Sequence, residues 1–342
     1  MRDNSPVMTG SQKRMIGRLF GLLLLAGTIA APATAAGGHD ALELAFDQAL
    51  GQDLRAPRRY SSPFEASLAA ATDGQQGRIG VAAIDLSSGR SVGVLGDQPF
   101  PMASTSKVAI VATFLDGVDQ GRWRLTDQFP LMVPLPSKKL QGSVAPVRAG
   151  AMLSAATLID LAITRSDNQA TDALLAAIGG PQAVNRWLRR AGVSGMRMDR
   201  DIATLVRDDG IVDPAKTVDV RDSATPYAMV NFLSGLHRGQ WLSPSSRAVL
   251  MSAMERCVTG KGRIRALMPE GARVAHKTGT LNNTASDIGF IQTADGRTIA
   301  VAIYVTGQGG KPNRDARIAG IARTIYDGYL SEAAGPRQAS AR

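Results

Sequence analysis

The chain has 342 residues, of which 44% are hydrophobic and 20% are charged. This composition excludes an intrinsically disordered chain and allows one large domain or two interleaved ones. The formal net charge of +10 would suit nucleic acid, but only 5% of the residues are aromatic, and neither a zinc-finger spacing nor a glycine-rich phosphate loop is present. We therefore expect no nucleic-acid partner and an anionic envelope or acidic polymer as the neighbour of this basic surface.

The first 36 residues have the three-part layout of a secretory signal peptide. Basic side chains come first, and the apolar run from Leu19 to Ala30 and the small-residue segment APATAA follow. The apolar run is too short to cross a bilayer, so we expect cleavage after Ala35 or Ala36 and no stable membrane insertion. The mature protein would be periplasmic or secreted. Its charge would be +7, because residues 1 to 35 carry four basic side chains and one acid.

Hydrophobic periodicity predicts the elements of the mature chain in order. Residues 37–60 are interpreted as an N-terminal extension. A helix is predicted over 62–71, and two short β-rich runs separated by SSGR predict a hairpin within 77–97. The region 119–261 is predicted to be a mostly helical subdomain, with apolar spacing near 3.6 in five segments: 153–165, 168–179, 180–192, 225–239 and 243–258.

Strands are predicted again at 272–280, 286–296 and 297–307, before a closing helix over 315–330. The simplest arrangement is a sheet built from both chain ends, in an α/β subdomain of residues 61–118 and 262–332, with the helical region inserted between them. The connector 196–226 has no clean period and many acids. Loops of that length are often functional.

The segment PMASTSKVAI, residues 101–110, places a serine and a lysine three positions apart at the start of a predicted helix. Ser104 would meet free backbone N–H groups and the positive end of the helix dipole, which favour developing negative charge. Lys107 lies one turn along the same face and can reach the hydroxyl. No Ser-His-Asp set is arranged around Ser104, so a neutral lysine is the predicted base, provided that burial and a second cation lower its pKa.

The segment HKTGT offers that second cation. Lys277 is predicted at the end of an edge strand, and small residues follow it. A substrate carboxylate could lie against Lys277 and the hydroxyls of Thr278 and Thr280, while the Thr280 N–H points at a carbonyl oxygen. The alternative is an ordinary strand-end turn.

A third segment, TRSDNQATD, places Ser166, Asp167 and Asn168 between two predicted helices. A short loop there could present a hydroxyl and an amide to the same cleft. A helix cap before NQATDALL explains this stretch equally well when it is taken alone.

The order and separation of SxxK at 104, SDN at 166 and KTG at 277 resemble the active-site signature of the penicillin-recognising serine hydrolases, and in particular of class A β-lactamases. FPMASTSK and VAHKTGT are similar to the family's nucleophile segment and third motif. MDR at 198–200 and RDSATP at 221–226 resemble the borders of its Ω loop. The resemblance covers about residues 62–330 and implies a monomer with the family's α/β fold, an antiparallel sheet with flanking helices.

The resemblance also implies a role for each matched position. Ser104 would be acylated by the β-lactam carbonyl, with Lys107 as base, directly or through water. The N–H groups of Ser104 and Thr280 would form the oxyanion hole. Ser166 would relay a proton to the leaving ring nitrogen with help from Lys277. The implied substrate-binding residues are Asn168, which would hold the side-chain amide, and Lys277, Thr278, Gly279 and Thr280.

The Ω loop departs from the family pattern. Arg200 and Asp222 would form the ion pair that closes it. In class A enzymes, a Glu in an ExxLN pattern after the Asp-Arg pair activates the deacylating water. Matching Leu205 to that leucine places Ile202 at the Glu position and Val206 at the Asn position, and neither side chain can polarise water.

Residues 199–226 contain no Glu, and the spacing from Arg200 to Asp222 is longer than usual. Asp201, Asp208 or Asp209 could supply a substitute carboxylate, although a shorter side chain needs a shifted backbone. The strand after KTGT also carries no arginine for a substrate carboxylate. Arg314 or Arg317 could serve, but we prefer to interpret both as solvated helix charges.

One fold is therefore compatible with three functions. The first is a serine β-lactamase, slow or dependent on a substitute carboxylate. The second is a penicillin-binding or DD-peptidase-like hydrolase of cell-wall peptide, and the third is a non-catalytic β-lactam sensor.

The three histidines are scattered, so we expect no metal and no cofactor. Cys257 is the only cysteine and is predicted to be a buried small hydrophobe.

Overall fold

A computed structural model of the protein describes residues 60–74 and 76–334. The predicted signal peptide lies outside these residues. The central element is a five-stranded antiparallel sheet in the order β2-β1-β9-β8-β7, so both ends of the chain contribute strands and β7 is an edge. The predicted fold class is confirmed. The sheet strands are β1 Ile79–Asp85, β2 Ser91–Val94, β7 Arg273–Leu281, β8 Thr284–Gln292 and β9 Thr298–Thr306.

Helices cover both faces of this sheet. The described helices are α1 Pro63–Ala71, α2 Lys107–Asp119, α3 Ala155–Thr164, α4 Asn168–Ile178, α5 Pro181–Arg190, α6 Ile202–Arg207, α7 Pro226–His237, α8 Pro244–Glu255 and α9 Lys311–Ala334. On one face, α1 and α9 enclose a core that includes Phe64 and Ile325. On the other face, α2 and its neighbours enclose a larger core around Phe114 and Phe232. The predicted division into subdomains stays a prediction.

One hairpin lies inside the region that the sequence predicts to be mostly helical. Strand β4, Gln128–Pro134, pairs with β5, Val147–Ser154, and the register shifts between Pro130 and Met132. The strands were not predicted because Pro130 interrupts β4, Pro134 ends it, and most residues of β5 are exposed, so neither strand shows regular alternation.

The connector 196–226 contains two short elements. Helix α6 has only six residues, too few for a helical period to be visible in the sequence. Strand β6, Ser223–Ala224, pairs with β3, Phe100–Pro101. This pairing places the end of the Ω loop, which we define as residues 199–222, beside the segment that leads to Ser104.

Within the described ranges, no helix is long and apolar enough to cross a membrane. Those residues also contain no group of three or more His, Cys, Asp or Glu side chains that could hold a metal ion.

Candidate active site

Ser104 lies in a single 3-10 turn, Ala103–Ser106, that continues directly into α2. Ala103 immediately before it has a φ of +49°, a left-handed conformation that is uncommon for a residue with a side chain and often marks functional sites. Strand β7 approaches this turn closely. A Cβ at Gly279 would lie 2.6 Å from the carbonyl oxygen of Met102. Glycine at this position therefore lets the KTG strand lie against the nucleophile segment.

Lys107, the first residue of α2, is fully buried. Its Nζ donates to Ser166 O at 2.7 Å and to Asn168 Oδ1 at 2.7 Å, with longer contacts to Asp167 O and Ser166 Oγ. Among the described residues, no hydrogen bond joins Nζ to Ser104 Oγ. Burial and the neighbouring Lys277 cation hold the pKa of Lys107 well below its usual value, which is what a lysine base requires.

Ser166 connects the two lysines. It has a φ of +59°, and this left-handed turn between α3 and α4 lets both its carbonyl and its hydroxyl face Lys107. Lys277 Nζ donates to the same Ser166 hydroxyl at 2.9 Å. Asp167 caps α4 by accepting from Ala170 N, so the cap and the cleft-lining roles predicted for this segment coexist.

Lys277 lies on the edge strand, but in the middle of β7 and not at a strand end as predicted, because the strand continues to Leu281. Its side chain is fully buried, and burial lowers the pKa of Lys277 to about 8. Thr278 is buried beside it, whereas Thr280 is exposed. The KTGT segment is thus regular strand, which excludes the alternative of a strand-end turn.

Arg200 and Asp222 hold the two ends of the Ω loop together. Arg200 Nε donates to Asp222 Oδ2 at 2.6 Å, and the backbone N–H groups of Asp199 and Arg200 donate to Oδ1. The carbonyl of Asp222 also accepts from Met102 N at 2.9 Å. The closure of the loop is therefore joined directly to the nucleophile segment.

Ile202 begins α6 and is buried, with 2% of its surface exposed. Its backbone N–H donates to Asp172 Oδ1, and Ala203 N donates to Oδ2, both at 2.8 Å. Burial raises the pKa of Asp172 to about 6. Sequence analysis missed Asp172, although it lies four residues after Asn168 and so on the same face of α4.

The three acids considered as substitute bases each have a structural partner. Asp201 caps α6 by accepting from Thr204 N at 2.7 Å. Asp208 pairs with Arg207 and accepts from Leu140 N. Asp209 accepts from Asn282 N, at the turn between β7 and β8. These contacts tie the Ω loop to two neighbouring segments.

Arg263 is the cation that sequence analysis missed at the KTG motif. It is 2% exposed, and it donates to Thr280 Oγ1 at 2.7 Å and to the carbonyls of Gly279 and Ser286 at 2.8 Å. Its Nε pairs with Asp315. Sequence analysis missed Arg263 because it lies in a loop, where no hydrophobic period indicates which residue will contact the strand.

The interpretation of Arg314 as a solvated charge is wrong, because its guanidinium is buried against Gly307 and Gly309, whereas Arg317 is exposed.

Known proteins resemble this chain over most of its length. Residues 63–329 match the model of the β-lactamase enzyme family. The chain is 31% identical to β-lactamase OXY-2 of Klebsiella oxytoca over 265 residues, which are 74% of this chain and 84% of the relative. It is also 31% identical to β-lactamase CTX-M-8 of Citrobacter amalonaticus over 272 residues, which are 77% of this chain and 88% of the relative.

A solved structure shares the fold. The class A β-lactamase of the last common ancestor of Gram-negative bacteria superposes with a TM-score of 0.66 at 36% identity, covering 78% of this chain and all of that one. Its similarity agrees with the family match and with the two relatives. The protein belongs to the class A β-lactamase family.

Proposed function

We propose that the protein is a serine hydrolase that is acylated at Ser104 by β-lactams and cleaves their ring amide. One observation carries the proposal. Two fully buried lysines, Lys107 and Lys277, both donate to the Ser166 hydroxyl, and β7 holds this group against the turn that contains Ser104. Burial lowers the pKa of both lysines, and the Lys277 charge lowers the pKa of Lys107 further, which suits them to proton transfer at neutral pH.

The acylation step follows from this arrangement. Neutral Lys107 takes the Ser104 hydroxyl proton, directly or through water, while Oγ bonds to the β-lactam carbonyl carbon. The oxyanion that forms accepts from the N–H groups of Ser104 and Thr280. When the carbonyl re-forms, the ring C–N bond breaks, and the nitrogen receives a proton relayed from Lys107 through the Ser166 hydroxyl.

Substrate binding uses the edge strand and α4. Asn168 Oδ1 accepts from Lys107, which leaves its Nδ2 group to donate to the side-chain amide of the substrate. The substrate carboxylate would lie against Lys277, Thr278 and Thr280. Arg263 supports that end of the cleft, because it holds the Thr280 hydroxyl and adds a second positive charge.

Deacylation completes the reaction: water adds to the Ser104 ester and the serine is released. The environment of Ile202 favours a slow second step. Ile202 is buried where the resemblance predicts a Glu, and Asp201, Asp208 and Asp209 are bonded elsewhere. This observation supports the second candidate function, a penicillin-binding or DD-peptidase-like hydrolase that β-lactams trap as a stable ester, and equally a β-lactam sensor.

We further propose that the mature protein acts outside the cytoplasm. The support is the signal-peptide pattern of residues 1–36. An exported enzyme of this class would meet β-lactams in the periplasm or the medium.

The deciding experiment is mass spectrometry of the purified protein with a penicillin, followed over time. We expect one covalent adduct on the Ser104 peptide. An adduct that disappears within seconds while hydrolysed product accumulates supports the β-lactamase, whereas an adduct stable for hours supports the second candidate. Absence of any adduct and of any hydrolysis would contradict both.

A further inference from the structure

The outer face of α5 carries three arginines. The buried residues of this helix recur at helical spacing and hold it against the larger core: Val184, Trp187 and Leu188. Because successive residues of a helix are rotated by about 100°, the opposite side of α5 presents three exposed basic residues: Arg186, Arg189 and Arg190. The helix is therefore sharply divided into an apolar inner face and a basic outer face.

A second group of arginines lies at the end of α7. Arg238 directly follows this helix and is exposed, and the half-buried Arg247 of α8 donates from Nη1 to the carbonyl of His237 at 3.1 Å. Aromatic packing joins this region to α5, because Trp187 contacts Trp241 edge-on with 5.9 Å between ring centroids. Both groups thus belong to one region of the surface. We call it the arginine surface, defined by Arg186, Arg189, Arg190, Arg238 and Arg247.

No acid balances the arginine surface. The chain contains neither Asp nor Glu from residue 173 to 198 or from residue 223 to 254, the two stretches that supply all five arginines. Within residues 60–74 and 76–334, none of the five forms an ion pair, whereas the nearby Arg197 is paired with Asp199. The carboxylate of Asp119, at the start of α8, is occupied by the hydroxyls of Ser243 and Ser246.

This concentration of charge does not stabilise the fold. Arg186 lies about one turn from both Arg189 and Arg190, and like charges at this spacing destabilise a helix. The two later arginines are in the last turn of α5, where the helix dipole favours a cation, but Arg186 precedes that turn. An anionic partner would remove the repulsion, so the surface is better suited to binding than to stability.

We propose that the arginine surface is a docking site for an anionic phospholipid membrane, to which the protein binds peripherally. The proposal goes beyond the acylation chemistry and does not depend on it. The net charge predicts an anionic neighbour, and these five side chains are where the charge is concentrated.

The arrangement of the arginines favours a membrane as the partner. They extend along one helix and onto the end of another, which fits a plane of repeated phosphates better than a single small ligand. Guanidinium groups bind phosphate oxygens through two N–H donors. Trp241, which is half-buried and follows Arg238 by three residues, adds an amphipathic ring of the kind found at membrane interfaces.

Cosedimentation of the purified protein with vesicles tests this surface. We expect binding to vesicles made of equal parts phosphatidylglycerol and phosphatidylcholine, little binding to phosphatidylcholine alone, and weaker binding as salt is raised. Each arginine near an anionic membrane contributes about fivefold to the partition coefficient. Replacing the three on α5 should therefore lower binding about 100-fold, in the triple variant Arg186→Gln, Arg189→Gln and Arg190→Gln.

A matched variant separates the position of the charges from their number. It also loses three positive charges, at exposed arginines that lie outside the arginine surface and form no ion pair in the described part of the chain: Arg124→Gln, Arg148→Gln and Arg317→Gln. Its binding should fall less than about fivefold, because salt screens charges that do not touch the membrane. Equal losses in the two variants would overturn the proposed site.

Two further outcomes would contradict the proposal. If the wild type failed to bind the anionic vesicles even at low salt, the arginine surface would not be a membrane site, however the variants behave. If it bound soluble inorganic polyphosphate but no vesicles, the partner would be a soluble polyanion. Neither outcome bears on the proposed function, which labelling of Ser104 by a penicillin tests separately.

Discussion

Two regions of the molecule differ in whether their polar side chains are free to take part in a reaction: the acylation side of the cleft, which contains Ser104, and the Ω loop. On the acylation side, Lys107, Ser166 and Lys277 bond to one another in a buried cluster beside Ser104. In the Ω loop, every acid considered as a base is occupied by a cap, an ion pair or a turn. The same fold therefore supports the first half-reaction better than the second.

The comparison shows that the contacts that close the Ω loop are separate from the side chain that would activate water there. Arg200 and Asp222 close the loop, and Asp172 holds the start of α6 through two backbone amides. These contacts order the backbone at Ile202 without supplying a group that activates water.

The largest effect is expected for Ser104→Ala. Removal of the nucleophile should lower the acylation rate at least about 10⁴-fold and abolish covalent labelling by a penicillin. Labelling is followed by mass spectrometry of the intact protein. Ser106→Ala is the matched control, because that hydroxyl only bonds Ala103 O and labelling should persist. Labelling of Ser104→Ala at another residue would end the assignment.

Ile202→Glu should give the next largest effect. A carboxylate at the start of α6 would be placed to activate water, and general-base catalysis contributes about 10²–10⁴-fold. We expect the adduct to decay about 10²-fold faster while acylation changes little, as measured by the time course of adduct loss. Ile202→Gln, which has the same size as the Glu variant but no carboxylate, is the control. No acceleration would mean that Ile202 does not occupy the position of the relatives' Glu.

Asp222→Asn should destabilise the closure of the Ω loop. The carboxylate is buried and accepts from three N–H groups, and an amide in its place can satisfy fewer of them. We expect a loss of about 2 kcal/mol in the free energy of unfolding, measured with denaturant. Asp219→Asn removes only an exposed pair with Arg221 and should cost less than about 1 kcal/mol. Equal losses in the two variants would contradict the importance of the closure.

The smallest effect is expected for the change of substrate affinity with pH. In the proposed function, the charged form of Lys277 binds the substrate carboxylate, and burial lowers the pKa of Lys277 to about 8. Affinity for an anionic β-lactam should therefore be constant at lower pH and fall about tenfold per unit above pH 8. KM measured across this range checks the prediction, with an esterified β-lactam as the control. A decline that begins only near the usual pKa of lysine would show that Lys277 is not perturbed.

Much of the fold followed from the sequence because it depends on local pattern. The sheet strands alternate or run continuously apolar, and the long helices repeat their apolar residues at 3.6, so these elements were predicted within a few residues. The hairpin β4–β5 and helix α6 were not. One is exposed and interrupted by proline, and the other is too short to show a period.

The residues of the candidate site also fall into two groups, those that a local sequence pattern indicates and those that it does not. Ser104, Lys107, Ser166, Asn168 and Lys277 belong to short motifs whose chemistry can be inferred from residue type and spacing. Arg263 and Asp172 were missed because their roles depend on neighbours that are distant in sequence. Arg263 donates to Thr280 and pairs with Asp315, and Asp172 accepts from the backbone at the start of α6.

By itself, the sequence predicted the nucleophile and the two lysines, and it determined the family resemblance and the absence of a Glu from the Ω loop. Only the tertiary structure decided which ionisable groups are buried together, and that set includes Lys277, Arg263 and His276. The physical reason is that the ionisation of a side chain depends on desolvation and on charges within a few ångströms. Those distances arise when strands and loops that are far apart in the chain pack against one another.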